Sequence, residues 1–287
     1  MRFSTFSRCR GCVILLTVFG GVVDGEDEEK ARRRTDKKNE VEILETSGGV
    51  RFGLWNRRPG SPAPTLFIFA STIDVTLGDP YYRQCGNALA QRGYLCVSMD
   101  LPCHGLEKRA DEQEGLAGWR GRVDRGEAFM GDFRSKVGHV LSYLIAEKYT
   151  DPGRVAVCGT SRGGFVAVHY AAADARVKCI AAFAPVTDLG VLWEFRGLEK
   201  HPAIRSLALE NCAEKLAGRA IWIAIGDQDH RVGTDQAIAF ARSVSAASVR
   251  RNVASGVELH VLPEPGGHTT PDGVSEEAAA WIAKQLK

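Results

Sequence analysis

The sequence predicts an α/β fold, with a mostly parallel eight-stranded sheet and helices on both faces. Three observations carry this. Eight strand-like segments lie between Val41 and Leu262. From Thr65 onward they alternate with stretches of helical spacing, the pattern of repeated β-α units. The inner segments TLFIFA (65–70), RVAVC (154–158) and AIWIAIG (220–226) are apolar at consecutive positions, as strands buried on both faces are.

Taken in order, Val41–Thr46 and Arg51–Arg57 flank Gly48-Gly49 and predict an antiparallel hairpin. Thr65–Ala70 is the first buried strand. Tyr82–Arg92 has helical spacing and ends at Gly93, a residue suited to the C-cap. Leu95–Asp100 is the next strand. Residues 101–126 are polar and glycine-rich with Trp119 embedded, so a long loop is expected there, and long loops in compact domains usually have a function. Glu127–Tyr149 reads as a helix stopped by Asp151-Pro152-Gly153. Strands follow at Arg154–Cys158, Val177–Ala184, Ala220–Gly226 and Val257–Leu262. Helices follow at Arg162–Ala173, Asp235–Ser248 and Ser275–Lys287. Residues 187–217 predict an irregular, partly helical excursion large enough for a small lid.

The 287 residues are 44% apolar and 25% charged, which excludes collagen-like, coiled-coil, polytopic membrane and wholly disordered chains. Without residues 1–25, which carry Arg2, Arg8 and Arg10 against Asp24, the chain has 34 basic and 34 acidic groups. Such balance offers no electrostatic footprint for nucleic acid. Residues 1–25 join a short basic stretch to the apolar run Val13–Val23, too short to span a bilayer. They read as a signal peptide cut near Glu26, placing the mature protein in a secreted or periplasmic setting. Residues 26–40 carry six acids and six bases and no large apolar side chain, a composition that predicts a solvated linker. Residues 41–287 are then one domain.

Six cysteines remain beyond the signal. Cys96, Cys158 and Cys179 lie inside apolar strands, where a thiol behaves as a small hydrophobe. Cys85, Cys103 and Cys212 fall in less regular stretches and leave one disulfide open in an oxidising compartment. No C-x-x-C pair survives to suggest a metal or redox site.

The chemistry sits at strand ends. Gly159-Thr160-Ser161-Arg162-Gly163-Gly164 follows the strand RVAVC and opens a helix. The bare G-x-S-x-G pattern should occur by chance on the order of 0.2 times in this composition, so its weight comes from the strand before and the helix after. A serine there is exposed on a sharp turn, above a helix N-terminus of positive potential. It still needs a base. Downstream, Gly226-Asp227-Gln228-Asp229-His230 follows one strand and Gly266-Gly267-His268 another, in the order Ser…Asp…His.

From Val41 onward these residues resemble the α/β-hydrolase superfamily, and within it the dienelactone-hydrolase-like and prolyl-oligopeptidase-like serine hydrolases. The resemblance implies Ser161 as nucleophile, His268 as general base and Asp229 as its orienting acid, with Asp227 as the alternative acid. It implies an oxyanion hole from the N–H of Arg162 and one N–H after the first buried strand, where Ala70-Ser71-Thr72 replaces the His-Gly of many relatives. Thr72 is the first choice and Ser71 the second. Asp100-Leu101-Pro102-Cys103-His104-Gly105 looks like the family's turn, which makes His104 structural. The Arg162 side chain is a candidate for binding a substrate carboxylate, or for a salt bridge at the helix start. Trp119, Phe129, Trp193 and Phe195, in or beside the two long excursions, are candidates for the substrate pocket.

These expectations describe an esterase acting on a small-molecule ester through an acyl-enzyme, with no metal or organic cofactor required. Two alternatives stand beside it. One is a peptidase or amidase of prolyl-oligopeptidase-like type, although that group uses an extra N-terminal domain and only about 40 residues precede the core here. The other is a non-catalytic binding protein of the same fold.

Overall fold

Alternation along each strand decides what it faces, and in this protein both sides are apolar. In β3 (Ala63–Phe69), Leu66 and Ile68 point to one side and Phe67 and Phe69 to the other, and all four are fully buried. The same division separates Val155 and Val157 from Ala156 and Cys158 in β5 (Thr150–Thr160), and Ile221, Ile223 and Ile225 from Trp222 and Ala224 in β7 (Ala220–Gly226). Two apolar cores result, one on each face of the sheet.

The computed structural model describes residues 41–55 and 58–287, which fall in one compact unit. The expected signal segment 1–25 and linker 26–40 lie outside the described residues. The remaining strands are β1 (Val41–Glu45), β2 (Arg51–Trp55), β4 (Leu95–Ser98), β6 (Val177–Phe183) and β8 (Gly256–Leu262). They assemble in the order β1-β2-β4-β3-β5-β6-β7-β8. β2 runs antiparallel to both neighbours, and every pairing from β4 to β8 is parallel.

The principal helices are α1 (Ile73–Gly78), α2 (Gly115–Asp124), α3 (Phe129–Ala146), α4 (Arg162–Ala173), α5 (Thr234–Arg250) and α6 (Val274–Gln285). Side chains from α2, α3, α4 and α5 fill one core, and α1 and α6 close the other. The sheet is thus a doubly covered layer whose loops at the strand C-termini are free to carry a site.

Several elements depart from the sequence expectations. The expected helix 82–92 is broken into short turns at Gln84, whose φ is 45°. Gly93 does end it in the left-handed region, at φ 84°. The expected loop 101–126 contains α2, anchored by Trp119 Nε1 donating to the Pro102 carbonyl at 2.6 Å and by a buried Arg122–Glu112 ion pair. β5 begins at Thr150, and Asp151-Pro152-Gly153 forms a bulge in it, between the pairings Ala63–Thr150 and Thr65–Val155. The 187–217 excursion is less a lid than part of the wall, because Leu189, Leu192, Phe195, Ile204 and Leu209 are buried in the core.

No disulfide forms. All six described cysteines are free and buried, with Cys85 in one core and Cys103 and Cys212 in the other, so the sheet separates the first from the other two. No helix among the described residues is long and apolar enough to cross a membrane.

Candidate active site

Four strand ends converge on one cleft. β5 ends at Thr160, and Ser161 follows with φ 55° and ψ −119°, a conformation that costs of order 1–3 kcal/mol for a residue with a side chain. Its surroundings hold it there. Ser161 N–H donates to the Phe183 carbonyl at 2.9 Å, and the Ser161 carbonyl accepts from Val186 at 3.1 Å and Phe165 at 3.2 Å. The turn also requires glycine. A Cβ on Gly163 would lie 1.8 Å from the Phe69 carbonyl oxygen, and one on Gly159 would lie 2.4 Å from the Gly163 backbone. α4 can approach β5 and β3 this closely only because both side chains are absent.

The loops after β7 and β8 bring the partners. Ser161 Oγ donates to His268 Nε2 at 3.0 Å, and His268 Nδ1 donates to Asp229 Oδ2 at 2.8 Å. Asp229 is 2% exposed, and its second oxygen accepts from the N–H groups of Arg231 at 3.0 Å and Val232 at 3.1 Å. Those two donors hold the carboxylate plane and stabilise its charge. Asp227 instead accepts from Glu264 N–H at 3.0 Å and ties the two loops together. Of the two acids considered, the structure brings Asp229 to the imidazole. Such a chain can move a proton off the hydroxyl and stabilise the imidazolium that forms.

The oxyanion candidates separate in the same way. Ser71 N–H is occupied, donating to Thr76 Oγ1 at 3.1 Å. Thr72 N–H has no partner among the described residues, and Thr72 caps α1 by accepting from Val75 N–H at 3.1 Å. Arg162 N–H lies in the first turn of α4, where helix donors have no internal acceptor. Asp100, 6% exposed, fixes the loop behind Thr72. It accepts from Ile73 N–H at 2.7 Å and Leu106 N–H at 3.0 Å. Gly105 lets it fit, since a Cβ there would meet Asp100 Oδ2 at 2.5 Å.

Ser161 opens into a cavity of about 200 Å³ bounded by Ala70, Tyr81, Tyr82, Leu116, Arg162, Ala184, Arg231 and His268. A second, of about 410 Å³, lies beyond it and is bounded by His104, Glu114, Ala117, Trp193 and Glu194. Leu116, Arg162 and Arg231 line both. Of the four aromatic residues expected in the pocket, only Trp193 lines these cavities, and it is 66% exposed. Trp119, Phe129 and Phe195 are a correction. They are at most 3% exposed and pack in the core, Trp119 against the Phe129 and Phe165 rings at 5.5 and 5.9 Å. Phe129 borders a separate cavity of about 430 Å³ with His169 and Cys212, which shares no lining residue with the site.

His104 is buried, and its Nδ1 donates to the Pro102 carbonyl at 2.9 Å, which leaves Nε2 unprotonated and buried without a partner among the described residues. Burial, and then the nearby Arg162 charge, push its pKa down to about 4. The residues that sequence reasoning missed are Tyr81, Tyr82, Leu116 and Arg231. Arg231 carried a signal, standing two positions after the acid, but nothing in spacing shows that its loop turns back over Ser161.

Comparison with known proteins agrees with this fold. A family model described as serine aminopeptidase, S33, an α/β-hydrolase family, matches residues 80–216, which include Ser161. The chain has the α/β-hydrolase fold and is similar to that family over just under half of its length. A hydrolase from Fusarium sp is 34% identical over 118 residues, 41% of this chain and 25% of that protein. Across the curated fungal relatives it matches, the chain spans only 25–31% of their length. Among solved structures, acetyl xylan esterase 1 from Thermoanaerobacterium sp. superposes with a TM-score of 0.59 at 15% identity, covering 91% of this chain and 93% of that one. A putative dipeptidyl aminopeptidase IV from Bacteroides ovatus gives 0.60 at 18% identity, covering 86% of this chain and 36% of that one. At these identities the superpositions establish the fold.

Proposed function

We propose that this protein hydrolyses carboxylic esters through an acyl-enzyme on Ser161. The observation that carries the reading is the continuous hydrogen-bonded line from Ser161 Oγ through His268 to the buried Asp229. Ser161 Oγ attacks the ester carbonyl carbon while His268 Nε2 takes its proton. The oxyanion rests between the N–H groups of Arg162 and Thr72, each contributing roughly 3 kcal/mol. Collapse breaks the C–O bond, and the alcohol leaves with the proton from His268. A water, deprotonated by His268, then attacks the acyl carbon and releases the acid and Ser161.

The cavity of about 200 Å³ at Ser161 is small beside the 300–1,000 Å³ typical of drug-sized ligands, which supports a short acyl group. Esterases and peptidases both occur among the structural neighbours. An amide or peptide substrate is the second reading, supported by the family model.

The test is hydrolysis of p-nitrophenyl esters from acetate to octanoate by wild type and Ser161→Ala. Turnover is expected to fall with chain length and to vanish in the mutant. Folded protein that turns over aminoacyl anilides but no ester would overturn the ester reading and favour the second.

A further inference from the structure

The wall shared by the two cavities carries two arginines, and only one of them has an ion-pair partner among the described residues. Arg162 donates through Nε to the Ala70 carbonyl at 3.1 Å and forms no ion pair among the described residues. Of the two alternatives for this side chain, the salt bridge at the helix start does not form among the described residues. Arg231 donates through Nη2 to Glu194 Oε1 at 2.6 Å, and its guanidinium carbon lies 5.8 Å from the Trp193 ring centroid. Its Nη1 is buried without a hydrogen-bond partner. Glu194, whose side chain is 9% exposed, is the one buried carboxylate in this wall. Glu114 is exposed at the rim.

Two guanidinium groups thus face one buried carboxylate. Glu194 Oε2 is likewise buried without a partner, so the Arg231–Glu194 pair leaves polar capacity unmet beside the unpaired Arg162. Burial pulls the Arg162 pKa below its ordinary value, with the Arg231 charge acting the same way and Tyr82, Glu114 and Glu194 acting against it. A desolvated cation beside a second cation is favourable when an anion sits against both. Guanidinium forks suit planar carboxylates in particular.

We infer that Arg162 and Arg231 bind a carboxylate on the substrate, so that the preferred esters carry an anionic carboxyl group reaching from Ser161 into the second cavity. This rests on the ester-hydrolase reading for the reaction, but the binding claim can be tested without it. The carboxylate lies against the Arg162 guanidinium and beside the Arg231–Glu194 pair, while the scissile carbonyl stays at Ser161.

Binding is measured first. Calorimetric titration of Ser161→Ala protein with glutarate and with the neutral isostere glutaramide should show glutarate at least tenfold tighter. Arg162→Met should abolish the difference, and Arg162→Lys should restore part of it, with thermal melts confirming that each variant folds. Kinetics then uses two matched pairs. Mono-4-nitrophenyl glutarate against 4-nitrophenyl pentanoate places the charge on the acyl side, and 4-acetoxybenzoate against 4-acetoxybenzamide places it on the leaving group. The charged member of at least one pair should have a tenfold higher kcat/KM, and the ratio should collapse towards one in Arg162→Met. Equal binding of glutarate and glutaramide, or an unchanged preference in Arg162→Met, overturns the inference. Arginine-dependent glutarate binding without Ser161-dependent turnover of any ester overturns the hydrolase reading and leaves the carboxylate site standing.

Discussion

Replacing Asp229 by Asn tests how the site holds its proton, because the structure dictates which way the amide must turn. Asp229 Oδ1 accepts from two backbone donors, Arg231 N–H at 3.0 Å and Val232 N–H at 3.1 Å. An asparagine satisfies both only with its carbonyl oxygen there, which aims its NH2 at His268 Nδ1. That nitrogen must then accept, and the imidazole proton moves to Nε2. Nε2 faces Ser161 Oγ at 3.0 Å and, once protonated, cannot take the hydroxyl proton. The same inversion in serine proteases lowers kcat about 10⁴-fold, equivalent to roughly 5 kcal/mol of barrier. Asp229 lines neither cavity, so KM should barely change. Steady-state hydrolysis of p-nitrophenyl acetate reads both constants, and a melting curve checks the fold. A folded variant with kcat within tenfold of wild type would refute the assignment of Asp229.

Other changes should behave in distinct ways. Asp227→Asn should keep kcat within a few-fold in the same assay, because Asp227 serves only the loop carrying Glu264. Gly163→Ala should lose about 3 kcal/mol or more in urea denaturation, since its Cβ meets backbone at 1.8 Å and cannot be accommodated by a rotamer change. Glu112→Ala should lose about 3–5 kcal/mol by leaving Arg122 buried and unpaired, whereas an exposed pair such as Arg120–Asp124 should matter by under about 1 kcal/mol when broken. Stability should fall on mild acidification. His104 and His169 are buried, and burial holds each at a pKa of about 4 rather than 6.5. Below pH 6.5 the unfolded chain binds protons that the folded one refuses until about pH 4, so stability is complete above 6.5 and declines through this window. The loss at pH 5 is roughly 2 kcal/mol per histidine. Equal unfolding free energies at pH 7.5 and pH 5 would contradict it.

The inner strands were legible because burial on both faces leaves no polar position to obscure them, as in TLFIFA and AIWIAIG. Ser161 was legible because its glycines answer to backbone clashes that no other residue avoids. Other elements depended on contacts distant in sequence. α2, reading GLAGWRGRVD, has three glycines and little amphipathic pattern, and it is held by Trp119 on Pro102 and Arg122 on Glu112. α1 had a local signal that went unread, a Thr72 N-cap with Asp74 in the first turn. The pocket aromatics were misplaced because position in an irregular segment says nothing about inward or outward facing. Phe195 is buried while its near neighbour Trp193 is exposed. The Arg162–Arg231 wall joins the start of α4 to the loop after β7, a proximity that only the folded sheet creates.

Intact-mass spectrometry after treatment with an alkyl fluorophosphonate tests Ser161 as the nucleophile. A single phosphonyl adduct is expected, placed on Ser161 by peptide mapping, absent from Ser161→Ala and strongly slowed in Asp229→Asn. No adduct on folded protein, or an adduct that persists in Ser161→Ala, would contradict it.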